Sequence, residues 1–184
     1  MIVLGGAEWY HVRRNGKGAI GMRVYHTLAP VFDERSRVLI LGTMPSPKSR
    51  EAQFYYAHPQ NRFWPTMAKL FDEPTPQTSD ERRCFALRHG IALWDVLQSC
   101  EIEGASDASI RDAVPNELSI VLNNAPVRAV FTTGRRACAL YNRLCLHKMT
   151  ELECICLPST SPANRRVSDA ELQKAYSVIR NYLD

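Results

Sequence analysis

No apolar run in this 184-residue chain approaches the roughly 18 residues that span a bilayer, and its start lacks the basic, apolar and small-residue order of a secretory leader. The expectation is a cytoplasmic protein with no membrane association. Cys-x-x-Cys pairs are missing as well. The six cysteines stand at 84, 100, 138, 145, 154 and 156 without histidines at ligand spacing, so neither a zinc site nor an iron–sulfur cluster is written locally. They read as reduced structural thiols, with Cys154 and Cys156 on one side of a strand and turned toward the core. Walker and dinucleotide glycine loops are absent, which argues against a small-molecule nucleotide binder; no metal or cofactor is expected.

Linkers and internal repeats are lacking too. The length suits one compact domain over 22–184, burying roughly 70% of its unfolded surface, with a monomer as the default. Neither sign of charge dominates: 23 Lys and Arg against 19 Asp and Glu give +4, compatible with a polyanionic partner but common elsewhere. Residues 1–21 differ from the rest, with Gly5, Gly6, Gly16, Gly18 and Gly21 beside Arg13, Arg14 and Lys17. They read as a flexible extension or as a start placed too early, ahead of Met22.

What is present is an alternation. Short strand-like runs at Val38–Leu41, Ile91–Val96, Val127–Thr132 and Leu152–Leu157 are separated by helical periodicity at Asn61–Phe71, Asp80–His89, Pro115–Asn124, Gly134–Leu146 and Ser168–Leu183. That order predicts an α/β fold with a parallel sheet covered on both faces. Pro115 suits a first helical turn, and Ser168-Asp-Ala-Glu171 is a capping-box pattern. Segments 72–79 and 99–112 read as loops.

The most informative stretch runs from Gly42 to Trp64, directly after the first strand, where parallel sheets bind ligands. Gly42-Thr-Met-Pro-Ser46 and Pro158-Ser-Thr-Ser-Pro-Ala-Asn-Arg-Arg166 each follow a strand and can offer backbone N–H groups and short hydroxyls to an anion, or simply make turns and caps. With Lys48, Arg50, Arg62, Arg165 and Arg166 beside them they suit a site gripping more than one phosphate, as a nucleic acid backbone demands. Phe54, Tyr55, Tyr56 and Phe63 near His58 and Asn61 offer a π-face with an amide beside it, the combination that reads an unstacked base. Tyr55 and Tyr56 are adjacent, so in extended chain at most one lines a pocket. His58, held extended before Pro59, reads as structural support.

Gly42-Thr-Met-Pro, the run from Phe54 to Trp64 containing Ala-His-Pro-Gln-Asn-Arg-Phe-Trp, Leu93-Trp-Asp-Val96 and Leu157-Pro-Ser-Thr-Ser-Pro-Ala163 resemble the uracil-DNA glycosylase superfamily, most closely its hypoxanthine-DNA (deoxyinosine) glycosylase branch. The resemblance covers residues 26–184 in order. It implies a three-layer α/β/α sandwich around a four-stranded parallel sheet. It also implies DNA containing deaminated bases as partner, and metal-free, monofunctional hydrolysis of an N-glycosidic bond after the base is flipped out.

By that resemblance Asn61 is the catalytic polar residue. Tyr56 stacks on the base, Asp95 reads it, and Gly42 and Met44 line its pocket. Ser46, Ser159 and Ser161 grip phosphate, and Pro162, Ala163, Asn164 and Arg165 lie at the phosphate contacts or the wedge. The chain also departs from the pattern. Met44 stands where many members carry an Asn or Asp that activates water, and a thioether cannot do so. Thr133 precedes Gly134 where hypoxanthine-type members more often have Asn. Hypoxanthine is the expected base; uracil or xanthine excision, and a catalytically silent DNA-binding member of the same fold, are the alternatives.

Overall fold

The computed structural model describes residues 22–103, 106–146 and 152–183, so the reading of residues 1–21 lies outside the described residues. The elements are β1 (Met22–Tyr25), β2 (Val38–Gly42), α1 (Pro47–Glu51), α2 (Phe63–Leu70), α3 (Ser79–Arg88), β3 (Ile91–Asp95), β4 (Leu97–Ile102), β5 (Arg111–Pro115), α4 (Ser119–Leu122), β6 (Ala129–Thr133), α5 (Arg135–Leu144), β7 (Glu153–Leu157) and α6 (Asp169–Tyr176). A 3-10 turn at Asp107–Ser109 precedes β5, and another, Ser177–Tyr182, prolongs α6.

Strands β3-β2-β6-β7 form a four-stranded sheet, parallel throughout, with Val38 opposite both Ile91 and Ala129, and Ala129 opposite Glu153. Every residue of β2, β3 and β6 is buried, which is why these runs are apolar without alternation. The chain leaves β2 for β3 on one side and later occupies β6 on the other. Because parallel crossovers are right-handed, steps in opposite directions put their helices on opposite faces. Helix α3 packs against β3, α2 packs against α6, and α5 lies over β6 and β7. The expected three-layer α/β/α sandwich is the fold, and its topological switch point is at the carboxyl end of β2.

Helix ends follow from local chemistry. Thr78 with Glu81 and Ser168 with Glu171 both close capping boxes, the second as the sequence predicted. Gly134 opens α5 at φ +100°, its N–H donating to the Leu157 carbonyl at 2.7 Å, so β6 turns sharply beside the end of β7.

The segment 99–112, expected as loop, contains strands. Strands β1-β4-β5 make a second, antiparallel sheet, and β4 follows β3 after Val96 alone. Two register shifts between β4 and β5 break the period-two pattern that would have announced these strands. Pro115 ends β5 instead of opening a helix, and α4 shrinks to Ser119–Leu122. The short helix α1 was likewise unannounced. Cys154 and Cys156 do share a face, but β7 is an edge strand, so Cys154 is half-buried and Cys156 exposed.

Asn116 joins the two sheets. Its side-chain amide donates to the carbonyls of Asp95 at 2.9 Å and Leu97 at 3.1 Å, and its backbone N–H to Val96 at 2.8 Å. Asn116→Ala would strip both carbonyls of these donors. The expected loss is about 1–3 kcal/mol in urea denaturation, from polar groups left unpaired; an unchanged midpoint would show that the corner is held elsewhere.

Candidate active site

A cleft of about 830 Å³ opens at the carboxyl ends of the parallel strands. Gly42 ends β2, Asp95 ends β3, Thr133 ends β6, and the loop from Pro158 follows β7. The sheet thereby collects side chains far apart in sequence. Tyr56, Asn61, Met44, Ser46, Ser159, Ser161, Pro162, Ala163 and Asn164 all border this cleft with Gly42 and Asp95.

The floor is built around a buried carboxylate. Asp95 Oδ2 lies 2.9 Å from His26 Nε2, with the two side chains only 6% and 2% exposed. His26 Nδ1 accepts the Leu28 N–H at 3.3 Å, so the ring proton sits on Nε2 and donates to Asp95. That leaves Asp95 Oδ1 as the outward acceptor. It is packed so closely on Gly42 that a Cβ there would come within 2.3 Å of it. Glycine at this position is a steric requirement of the carboxylate.

Tyr56 forms one wall. Its ring stacks on Phe63 with centroids 3.9 Å apart and planes 12° off parallel, while the ring also borders the cleft. Its backbone is left-handed at φ +54°, a costly conformation for a bulky residue. The hydroxyl is 3.3 Å from Thr133 Oγ1, which in turn reaches the Leu41 carbonyl at 3.4 Å. Burial, reinforced by the Asp95 charge, pushes the phenol well above its ordinary pKa, so it stays neutral. Tyr55 also reaches the cleft, but it is buried and its hydroxyl is tied to the Ala29 carbonyl at 2.9 Å.

Asn61 is oriented by its own loop. Its Oδ1 accepts the Phe63 N–H at 2.9 Å, and its N–H donates to the His58 carbonyl at 2.8 Å. The Oδ1 bond fixes which end of the amide is which and leaves Nδ2 to donate to whatever fills the cleft. His58 Nδ1 accepts the Gln60 N–H at 3.1 Å, a local turn that matches its structural reading, although the residue also borders the cleft.

The basic residues divide. Arg62 is a clamp: its guanidinium donates to the Val167 and Asn164 carbonyls, both at 2.7 Å, and to Asp169 at 2.9 Å. It holds the 158–167 loop, and these bonds commit both terminal nitrogens within the protein. Lys48 pairs with Glu51 at 2.8 Å on the surface. Arg50 and Arg166 border the cleft, whereas Arg165 is exposed outside its lining.

Ser46 caps α1, accepting the Ser49 N–H at 3.2 Å and donating to Ser49 Oγ at 3.1 Å, so its hydroxyl is spent within the protein. Ser159 and Ser161 accept the N–H groups of Ser161 and Ala163 at 3.2 and 3.3 Å, and each keeps its own O–H to donate. Asn164 braces the loop through Nδ2 to the Ser159 carbonyl at 2.8 Å.

Sequence reasoning missed His26 and Asp107, and took Thr43 only as part of the Gly42–Ser46 turn. Thr43 Oγ1 donates to Asp107 Oδ2 at 2.9 Å, bringing a second carboxylate to the cleft from the antiparallel sheet. Nothing local marked His26 or Asp107, since His26 follows a short edge strand and Asp107 lies in a segment that reads as loop. Among the described residues no group of three or more His, Cys, Asp or Glu is placed to hold a metal ion, and no helix is long and apolar enough to cross a membrane.

Gly42→Ala should drive Asp95 off His26 or shift β2. A loss of about 1–3 kcal/mol is expected from the forced repacking, read by urea denaturation. A variant as stable as its parent would mean that Asp95 swings aside freely.

Three comparisons bear on this geometry. The family model for the uracil DNA glycosylase superfamily matches residues 29–183. A Methanosarcina acetivorans protein named hypoxanthine DNA glycosylase is 34% identical over 153 residues, covering 82% of this chain and 95% of that protein. A Methanosarcina barkeri protein of the same name is 36% identical over 110 residues, covering 59% of this chain and 70% of that protein. A solution NMR structure from Methanosarcina acetivorans, described as a candidate uracil DNA glycosylase, superposes with a TM-score of 0.70 at 31% identity, covering 85% of this chain and 98% of that one. A matched span of this extent, over a fold whose cleft gathers the motif residues at one sheet end, places the chain in the uracil DNA glycosylase superfamily.

Proposed function

We propose that residues 22–184 form one monofunctional DNA glycosylase domain that takes an extruded hypoxanthine into the cleft and hydrolyses its N-glycosidic bond, leaving an abasic site. The observation that carries the base assignment is Asp95. Its Oδ1 is presented at the floor as a fixed acceptor, with the other oxygen held by His26. Hypoxanthine offers an N1–H donor and an O6 acceptor side by side. Asp95 takes the first and the Asn61 Nδ2 amide meets the second. Adenine has no N1–H and carries an amino group at C6, so it would leave both groups unpaired, at about 1–3 kcal/mol each. The relatives named hypoxanthine DNA glycosylase support the same choice.

Uracil is the second reading. Its N3–H and O4 repeat the donor–acceptor pair on a smaller ring, and the floor groups named here would accept it. Xanthine retains the N1–H and O6 edge and adds an oxygen at C2. These floor groups therefore separate hypoxanthine and uracil from adenine and cytosine, the parent bases whose amino group and unprotonated ring nitrogen mismatch both partners.

The nucleotide is held by a stacking wall and by its backbone. Tyr56, propped from behind by Phe63, gives the π-face. Ser159 and Ser161 direct hydroxyls at phosphate, with Arg50 and Arg166 beside the cleft and Arg165 and the Pro162–Asn164 turn nearest the duplex. Departure of the base leaves positive charge on the sugar. The site works by fixing the flipped nucleotide, bonding the departing base, and excluding alternatives to the attacking water.

The test is incubation with duplexes holding one deoxyinosine, deoxyuridine or deoxyxanthosine, followed by alkaline cleavage of abasic sites. Cleavage at inosine, lowered at least about 10²-fold in Asn61→Ala with DNA affinity retained, is the expected result; unchanged activity in that variant would remove Asn61 from the chemistry. Binding without cleavage of any substrate would favour a silent member of the fold. Tyr56→Phe should keep most activity, because its hydroxyl makes only one long bond, whereas Tyr56→Ala should lose about 1–3 kcal/mol of base stacking. Equal activities would place the ring outside the base-binding wall.

A further inference from the structure

The cleft contains a second carboxylate that base reading does not use. Asp107 opens the 3-10 turn between β4 and β5, and its Oδ2 receives the Thr43 hydroxyl at 2.9 Å. Thr43 directly precedes Met44, the half-buried thioether that can accept no proton from water. The hydrogen bond thus sets a carboxyl group beside the corner where Met44 leaves the β2 loop without a base. Asp107 borders the cleft and keeps solvent access beside its Thr43 bond, so water reaches it, while Asp95 is almost wholly enclosed, one oxygen on His26 and the other beside Gly42 at the cleft floor. Among the described residues these are the only two carboxylates bordering the cleft, and their surroundings give them different work.

We propose that Asp107, held by Thr43, is the residue that positions and deprotonates the attacking water, an assignment that rests on the glycosylase reading above. The water oxygen bonds to C1′ of the deoxyribose as the C1′–N9 bond breaks, its electron pair leaving with hypoxanthine. The proton shed by water passes to the Asp107 carboxylate and then to solvent, and the departing base takes a proton from solvent. The same negative charge faces the positive charge that grows on the sugar. A carboxylate from the antiparallel sheet thereby supplies what the β2 loop lacks.

The electrostatic setting agrees with the geometry. Crowding by protein raises the Asp107 pKa above the ordinary carboxylate value, and repulsion from Asp95 adds to it, against the Thr43 hydrogen bond and the Arg136 charge, which lower it. Around the cleft stand Asp95 from β3 with His26 behind it, Arg50 from α1, Arg136 from α5, and His58 and Arg166 from the rim loops. A base must be ionised to act, so the rate should rise as pH climbs through the raised Asp107 pKa and then level off. The stability consequence has the opposite sign. A carboxylate whose pKa is raised on folding binds its proton more tightly in the folded state, so its ionisation weakens the fold as pH rises.

The experiment is single-turnover excision from a deoxyinosine duplex across pH 4.5–8, on the order of the window given by ordinary carboxylate and histidine values, with parent, Asp107→Asn and Asp107→Ala in parallel. Asp107→Asn should be slower by roughly 10²-fold, with the rise in rate with pH abolished. Its Tm at pH 7 should be no lower than the parent's, since a repulsive charge has gone and the Thr43 bond can persist. Added formate should restore part of the Asp107→Ala rate, because a small carboxylate can fill the gap. If parent and Asp107→Asn cleave at equal rates with the same pH profile, the assignment of Asp107 fails and the glycosylase reading stands. If rate and Tm fall together and formate restores nothing, Asp107 is structural and the assignment also fails. No cleavage by the parent overturns the glycosylase reading and this assignment with it.

Discussion

The His26–Asp95 pair constrains more of this molecule than any other contact. A carboxylate this deeply enclosed is costly unless hydrogen bonds replace its water, and His26 supplies one from the segment that follows β1. Leu28 in turn fixes the histidine tautomer. Because the pair reaches from the antiparallel sheet to the end of β3, it ties the two sheets together at the point where the cleft opens. It also dictates Gly42 on the neighbouring strand, since Asp95 Oδ1 occupies the space that a side chain there would need. One hydrogen-bonded pair therefore specifies residues on three separate segments and leaves a single carboxylate oxygen facing the cleft.

Around that fixed oxygen the loops are held by bonds that use up their polar groups. Arg62 gives its guanidinium to two loop carbonyls, and Trp64 Nε1 donates to the Tyr55 carbonyl at 3.1 Å. These contacts anchor the 53–62 segment from both sides. Tyr56 can then persist in a left-handed conformation, because Phe63 fills the volume behind its ring and Thr133 receives its hydroxyl. The strain is local and the packing that opposes it is buried, an arrangement suited to a wall that must be in place before the base arrives.

The parallel sheet and its cleft were legible in the sequence because fully buried strands are apolar without interruption and the Gly42–Trp64 run is dense in polar and aromatic residues. Asn61, and Tyr56 rather than its neighbour Tyr55, were singled out only by the resemblance that this run carries. Arg62 looked like a phosphate ligand because composition reveals charge but not the carbonyls that satisfy it. Ser46 looked like a grip and is a cap, since both uses call for the same residue type after a strand. The second sheet stayed hidden because bulges between β4 and β5 erase the alternation, and with it went Asp107, whose role depends on a threonine 64 positions earlier in the chain. Contacts that distant leave no periodic trace.

Two carboxylates in a cleft meant for a polyanion pose an energetic question. Each repels the phosphates that the rim must attract, so they weaken the initial complex, and Arg50 and Arg166 beside the cleft oppose that repulsion. The balance changes as the glycosidic bond breaks. The sugar turns cationic, and a negative charge that was unfavourable beside the intact nucleotide becomes favourable beside the oxocarbenium-like state. An interaction that strengthens only on the way to the transition state lowers the barrier, whereas one present from the start lowers only the dissociation constant. The separation of tasks follows from this. On the proposed reading the rim cations and serine loop bind uniformly, while Asp95, enclosed and hydrogen-bonded, is the group assigned to the base. The solvent-accessible Asp107 is placed to meet charge that does not exist until the bond begins to part.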